Sequence, residues 1–195
     1  MMRTGVWVAV GSAACLLGFA PAQAGPFSDV YVSVVAHNIQ VTDPKNAGKE
    51  QGPNIEIGAH FVSPGFLSGL GQPRPYVMAS ANAAGDTSFV AAGLGWRVPF
   101  GRDWAFEPAI GVAWHNAARV NPFPNGDPQA TQFSARRIIN SSRDVFHTTL
   151  GVSRAVSGSA RLALVYEHLS HGQVLGKGRN QGIDQAGVRL SFKLD

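Results

Sequence analysis

Fourteen residues near the middle of the chain, DWAFEPAIGVAWHN (103–116), leave few folds open. Read with a period of two, Trp104, Phe106, Pro108, Ile110, Val112 and Trp114 share one face. Ala105, Glu107, Ala109, Gly111, Ala113 and His115 share the other. Strict alternation is the signature of a β-strand, whose successive side chains point to opposite sides. Here the continuous apolar face is bracketed by tryptophan, and the opposite face is small or ionisable. That is the pattern of a strand crossing a bilayer, with an aromatic residue at each headgroup level and a polar interior behind it. A soluble sandwich also alternates, but it normally puts its large apolar residues inside, without tryptophans at both ends of the run. It stands as the alternative.

Seven further segments carry the period: DVYVSVVAH, NIEIGAHFV, RPYVMASANA, TSFVAAGLGWRV, DVFHTTLGVSRA, SARLALVYEHLS and DQAGVRLSFKL. Each is close to the roughly 9–11 residues that a tilted membrane strand needs. Eight strands close a small antiparallel barrel whose interior is filled by side chains. From an N-terminus on the periplasmic side, the outer connections cover 38–53, 84–86, 116–143 and 169–183, and the inner ones 64–72, 99–102 and 156–158. Most outer loops are long and most inner turns short, as in bacterial outer-membrane barrels. The expected fold is therefore an all-β, eight-stranded transmembrane outer-membrane barrel over residues 25–195. Composition agrees: 45% of residues are hydrophobic, 14% are charged and 23 are glycine. After residue 24 there is no apolar run of the roughly 18 residues a spanning helix requires.

Residues 1–24 read as a secretory signal peptide. Arg3 supplies the positive start, Gly5 to Phe19 the apolar stretch, and Ala22-Gln23-Ala24 the small-residue cleavage site. A single-span anchor is the competing reading, but the apolar run is short and ends at Pro21. Cys15, the one cysteine, lies inside this segment, so the mature chain is expected to have neither disulfides nor thiol chemistry nor thiolate zinc sites. The formal charge of +4 is a mild excess without a basic run, which argues against a nucleic-acid partner for an exported chain.

On the inward parity stand Glu56, His60, Arg97, Glu107, His115, His147, Glu167, Arg189 and Lys193. Buried charges must pair, so these are read as a structural ion-paired interior rather than a proton path or pore.

The last hairpin stands apart. EHLSHGQVLGKGRNQGIDQAG (167–187) carries His168 and Ser170 on the outward parity of Leu162, Leu164 and Tyr166. Asp184 shares the outward parity of Val188, Leu190 and Phe192. Polar groups facing hydrocarbon are costly, so an outward cluster at the rim of the apolar band suggests function. With Ser170 opposite Asp184, His168 and Asp184 become diagonal neighbours about 7–8 Å apart, and nucleophile, base and orienting acid can meet. As a bare pattern, H-x-S with a later acid is weak, and a polar loop alone can supply it.

The segments HLSHG and NQGID, between the last two strands of an exported eight-stranded barrel, resemble the lipid A 3-O-deacylase (PagL) family. Its pattern is approximately H-x-S-N, a short gap, then N-x-G-x-E or N-x-G-x-D. The resemblance implies a serine esterase that removes the 3-O-linked hydroxyacyl chain of lipid A in the bacterial outer membrane. It gives catalytic roles to Ser170 (nucleophile), His168 (base) and Asp184 (acid), and an oxyanion or positioning role to Asn180. Two departures stand out. His171 occupies the place where the family usually has asparagine, and the acid is aspartate after a slightly longer gap. Either the His171 ring or a backbone N–H of the glycine-rich loop would then serve the oxyanion.

Arg136, Arg137, Lys177 and Arg179, with Arg143, fall in two outer loops and are candidates for the phosphates of the lipopolysaccharide partner, against the alternative of solvated loop charge. The sequence holds no H-E-x-x-H and no calcium loop, so neither metal nor cofactor is expected. Two rivals remain: a non-catalytic structural barrel, which His171 favours, and another lipid A-modifying barrel, such as a metal-dependent oxidase. Oligomeric state is left open, a homodimer included.

Overall fold

The computed structural model describes residues 25–194. The signal peptide and cleavage site expected over residues 1–24, with Cys15, lie outside the described residues. The strands are β1 (Phe27–Ala36), β2 (Pro53–Phe61), β3 (Arg74–Asn82), β4 (Phe89–Gly95), β5 (Val98–Phe100), β6 (Trp104–His115), β7 (Asp144–Ala155), β8 (Ala160–Ser170) and β9 (Ile183–Lys193). All neighbours pair antiparallel, and the order β4-β3-β2-β1-β9-β8-β7-β6 closes through a β4–β6 pairing. Strand β5 also pairs with β6, in the register that β4 began. β4 and β5 are therefore one stave, and the barrel has eight. The gap at residues 96–97 has a local cause. Trp96 N–H reaches the Pro108 carbonyl at 2.9 Å, but proline has no N–H to return.

The alternation expected from the sequence sets inside from outside. On β6, Trp104, Phe106, Ile110, Val112 and Trp114 are exposed, while Ala105, Glu107, Ala113 and His115 are buried. Trp104 and Trp114 are ten residues apart, about 33 Å along a strand, and about 25 Å once the strand tilts by roughly 40°. That is the height of the apolar band in outer-membrane barrels. Each tryptophan is topped by an arginine, Arg154 over Trp104 and Arg143 over Trp114, as expected where hydrocarbon meets charged headgroups.

The lumen holds the expected polar set. Arg189 donates to Glu167 at 2.8 Å and to Ser33 at 3.2 Å, and its guanidinium lies 4.2 Å from the centre of the Tyr31 ring. His147 lies between Tyr76 at 2.7 Å and Glu167 at 3.4 Å. Nearer the periplasmic end, Asp29 pairs with His60 and Arg74, and Arg97 donates to Glu107 at 2.6 Å. Lys193 lies at that same end and is exposed. Tyr76 crosses the lumen because Gly93 and Gly111 face each other beneath it. A Cβ at Gly111 would come within 2.4 Å of the tyrosine oxygen.

The outer loops interlock over the open end of the barrel. Alternation gave no sign of the helix α1 (Pro128–Arg136) in the long third loop, which Asp127 caps by accepting from the Gln129 N–H. Glu50 of the first loop is the hub. Its carboxylate accepts from Ile138 N–H at 3.0 Å and Thr87 N–H at 3.2 Å, and pairs with His37 at 3.1 Å. Burial pushes the Glu50 carboxyl up, but the bonds from His37, Thr87 and Ile138 and the charge of Arg137 outweigh it and hold it below the ordinary carboxylate range.

Candidate active site

The site stands at the outer end of the β8–β9 hairpin, on the outside of the barrel. His168 and Ser170 are two apart on β8 and share its outward face, as their parity requires. Asp184 begins β9. The register differs by two from the sequence expectation: Asp184 lies directly opposite His168, not opposite Ser170. The physical reason lies in the connection between the strands. Residues 171–182 fold back through internal hydrogen bonds, so loop length alone does not set the pairing. Direct opposition brings Asp184 and His168 closer than a diagonal would.

The resulting chain of contacts is continuous. His168 Nδ1 lies 2.7 Å from Asp184 Oδ1, and His168 Nε2 lies 3.0 Å from Ser170 Oγ. Asp184 can only accept, so Nδ1 carries the proton and Nε2 accepts from the serine hydroxyl. Gly182 underlies the imidazole, where a Cβ would meet His168 Cε1 at 3.0 Å.

Asp184 has outward parity yet is only 1% exposed. It is covered by residues 39–42 of the first outer loop, which cross the outside of the hairpin. Its Oδ2 accepts from Thr42 N–H at 2.6 Å and Val41 N–H at 3.2 Å, and the Tyr166 hydroxyl donates to Oδ1 at 2.7 Å. The Thr42 hydroxyl reaches both carboxylate oxygens, at 3.0 and 2.9 Å. Tyr166 was legible as an outward residue two positions before His168, though nothing in the pattern gave it a partner. Thr42 had no sequence signal at all, since 142 residues separate it from Asp184.

Asn180 and His171 hold the loop. Asn180 Oδ1 accepts the His171 backbone N–H at 3.1 Å. The His171 ring is fully buried: Nδ1 accepts from Gln173 N–H at 3.1 Å, and Nε2 donates to the Arg179 carbonyl at 3.2 Å. Both ring nitrogens are thus taken up by the loop backbone. Of the phosphate candidates, Arg136, Lys177 and Arg179 are exposed. Arg137 is half-buried and paired with Asp86 and Glu50. Arg143 donates to the His115 carbonyl at 3.0 Å and stacks on Trp114 at the outer rim. Among the described residues no cluster of His, Asp and Glu is arranged to hold a metal ion.

A closed eight-stranded barrel with an apolar exterior, an ion-paired lumen and polar side chains clustered on its outer wall is a protein of the bacterial outer membrane. The family model for lipid A 3-O-deacylase (PagL) matches residues 71–193, and the chain belongs to that family. Among solved structures, the crystal structure of the outer membrane enzyme PagL is similar at a TM-score of 0.56 and 14% identity, over 85% of this chain and 99% of that one. Neisserial surface protein A is similar in fold to nearly the same degree, with a TM-score of 0.55 and 12% identity over 85% of this chain and 96% of that one. No curated protein matches in sequence.

Proposed function

We propose that this chain is a serine esterase that hydrolyses the 3-O-linked hydroxyacyl ester of lipid A from within the outer leaflet. The observation that carries the reading is the bridging position of His168, 2.7 Å from Asp184 and 3.0 Å from Ser170, on the wall that faces lipid. His168 Nε2 removes the Ser170 proton as Oγ attacks the ester carbonyl. Asp184 holds the Nδ1–H tautomer and stabilises the imidazolium. The imidazolium then protonates the departing sugar oxygen, and water, activated by the same histidine, releases the hydroxyacyl chain from Ser170. A lipid substrate reaches an outward serine by lateral diffusion and need not enter the lumen.

With the His171 ring committed to the loop, the oxyanion donor in this reading is a backbone N–H of residues 171–182. Arg136, Lys177 and Arg179 are the exposed cations offered to the lipid A phosphates. Arg137 serves the loop interior instead.

The test is mass spectrometry of lipid A from cells carrying wild type, Ser170→Ala or His168→Asn, with barrel folding followed by heat-modifiable gel mobility. The expected result is loss of deacylation in both variants at unchanged mobility. Unchanged lipid A processing in both would end the proposal.

A further inference from the structure

The acid of this site is a short aspartate on a strand face that elsewhere meets lipid. It is nonetheless buried, and the cover comes from residues 39–42. This segment and the turn that follows it are tied to the hairpin at three points. Ile39 N–H donates to the Asp184 carbonyl at 2.9 Å, Asn46 Nδ2 donates to the Gly182 carbonyl at 2.6 Å, and Thr42 N–H donates to the Asp184 carboxylate at 2.6 Å. Asn38, in the left-handed region at φ 52, turns the chain out of β1 and donates from its side chain to the Asn46 carbonyl at 2.9 Å. The strap therefore grips both the acid and the glycine beneath the base.

We infer that Thr42 is a positioning residue of the esterase centre, a fourth member that acts through Asp184 and His168; this rests on the acyl-transfer reading above. Its hydroxyl lies 3.0 and 2.9 Å from the two oxygens of Asp184 and 3.2 Å from His168 Nδ1. It has one proton to give. The carboxylate can only accept, so that proton goes to Asp184, and the lone pairs of Oγ1 then face Nδ1. Only a protonated Nδ1 satisfies both Thr42 and Asp184. The hydroxyl thus selects the same tautomer as the acid does and leaves Nε2 free to take the serine proton. The strap also fixes the aspartate from its far side. The strand register brings the short acid to the base, and the strap holds its carboxylate there. The matched family region begins at residue 71, so the strap that carries Thr42 lies outside it.

Thr42 is itself exposed, so losing its hydroxyl opens no cavity. Thr42→Val keeps the branched shape and the backbone N–H and removes only Oγ1. Thr42→Ser keeps the hydroxyl. The experiment compares both with wild type and Ser170→Ala, each as a refolded barrel in mixed micelles with lipid A, and measures released hydroxy fatty acid for kcat and KM. Urea unfolding midpoints are recorded in parallel. The expected result is a kcat lower by about tenfold or more in Thr42→Val, because a hydrogen bond to a charged group is lost. KM stays within about twofold, the midpoint falls by no more than the one lost hydrogen bond accounts for, and Thr42→Ser stays within about twofold of wild type in kcat. A Thr42→Val enzyme with wild-type kcat beside an inactive Ser170→Ala overturns this inference and leaves the esterase reading standing. Equal losses in the Val and Ser variants with a lowered midpoint also overturn it, because they mark a purely structural strap. Full activity in Ser170→Ala removes the acyl-transfer reading and this inference with it.

Discussion

Asp184→Asn is the sharpest perturbation of this site, because the amide has nowhere to put its N–H2 without a conflict. The carboxylate is ringed by donors. Oδ1 faces His168 Nδ1 at 2.7 Å and the Tyr166 hydroxyl at 2.7 Å, and Oδ2 faces Thr42 N–H at 2.6 Å and Val41 N–H at 3.2 Å. With the amide nitrogen at the Oδ2 position, two backbone donors would meet a donor, and neither can rotate away. With it at the Oδ1 position, the conflict falls on an imidazole that can change tautomer and a hydroxyl that can turn. The second orientation is therefore preferred. It drives the His168 proton from Nδ1 to Nε2, and an Nε2–H cannot accept the proton of Ser170.

Enforcing the wrong tautomer with the geometry otherwise intact costs about 10⁴ in kcat in the Ser-His-Asp template. A loss of about 10³–10⁴ is expected here, since the remaining contacts keep the ring in place. The stability cost is smaller, about 1–3 kcal/mol for weakened bonds to a buried acceptor. The assay is release of hydroxy fatty acid from lipid A by the refolded barrel, with Ser170→Ala as the floor and gel mobility as the check on folding. A folded Asp184→Asn enzyme with kcat within about threefold of wild type would refute the tautomer argument, because no orientation of the amide preserves both sets of bonds.

Gly182→Ala sets a methyl 3.0 Å from His168 Cε1, so the ring must yield by a few tenths of an ångström. A drop in kcat of about ten- to a hundredfold with little change in urea midpoint is expected, since small misplacements of catalytic groups are costly; kinetics on the refolded variant checks it. Glu50→Gln tests the loop hub. The Glu50 carboxyl is held below its ordinary range, so its stabilisation is present above the unfolded-state pKa and is lost as pH falls through the lower folded-state value. At neutral pH the variant should loosen the outer loops by about 1–3 kcal/mol. The wild type should lose that advantage on acidification below the usual carboxylate range while the variant stays flat; hydrogen exchange of residues 37–52 and 128–142 against pH reads both.

The strands were legible because alternation is a local property. Each stave carries its own record of which residues meet lipid and which meet the lumen, and the inward set from Glu56 to Arg189 follows from it. What depends on two strands at once was less legible. The break between β4 and β5 comes from Pro108 on the neighbouring stave, a donor missing across the ladder rather than along the chain. The hairpin register moved by two because Asn180, His171 and Arg179 bind within the loop and shape its ends. Thr42 lies furthest from legibility. A hydroxyl in an exposed polar loop carries no periodicity, and its contact with Asp184 exists only once the barrel has closed β1 onto β9.

The same closure explains how one hairpin can carry a charged interior and a polar exterior without the two interfering. Adjacent residues of a strand point to opposite sides, so Glu167 and His168 are chain neighbours in different media. Inside, Glu167 pairs with Arg189, which also reaches Ser33 on β1. That links the adjacent staves β8, β9 and β1 on their lumen face and braces the register that sets His168 against Asp184 outside. Outside, the strap from the end of β1 returns over β9 and β8. A wall braced from both faces holds the outward side chains in one geometry where only fluid lipid lies beyond them. The proposed triad requires such rigidity, because the leaflet supplies no partner groups to orient it.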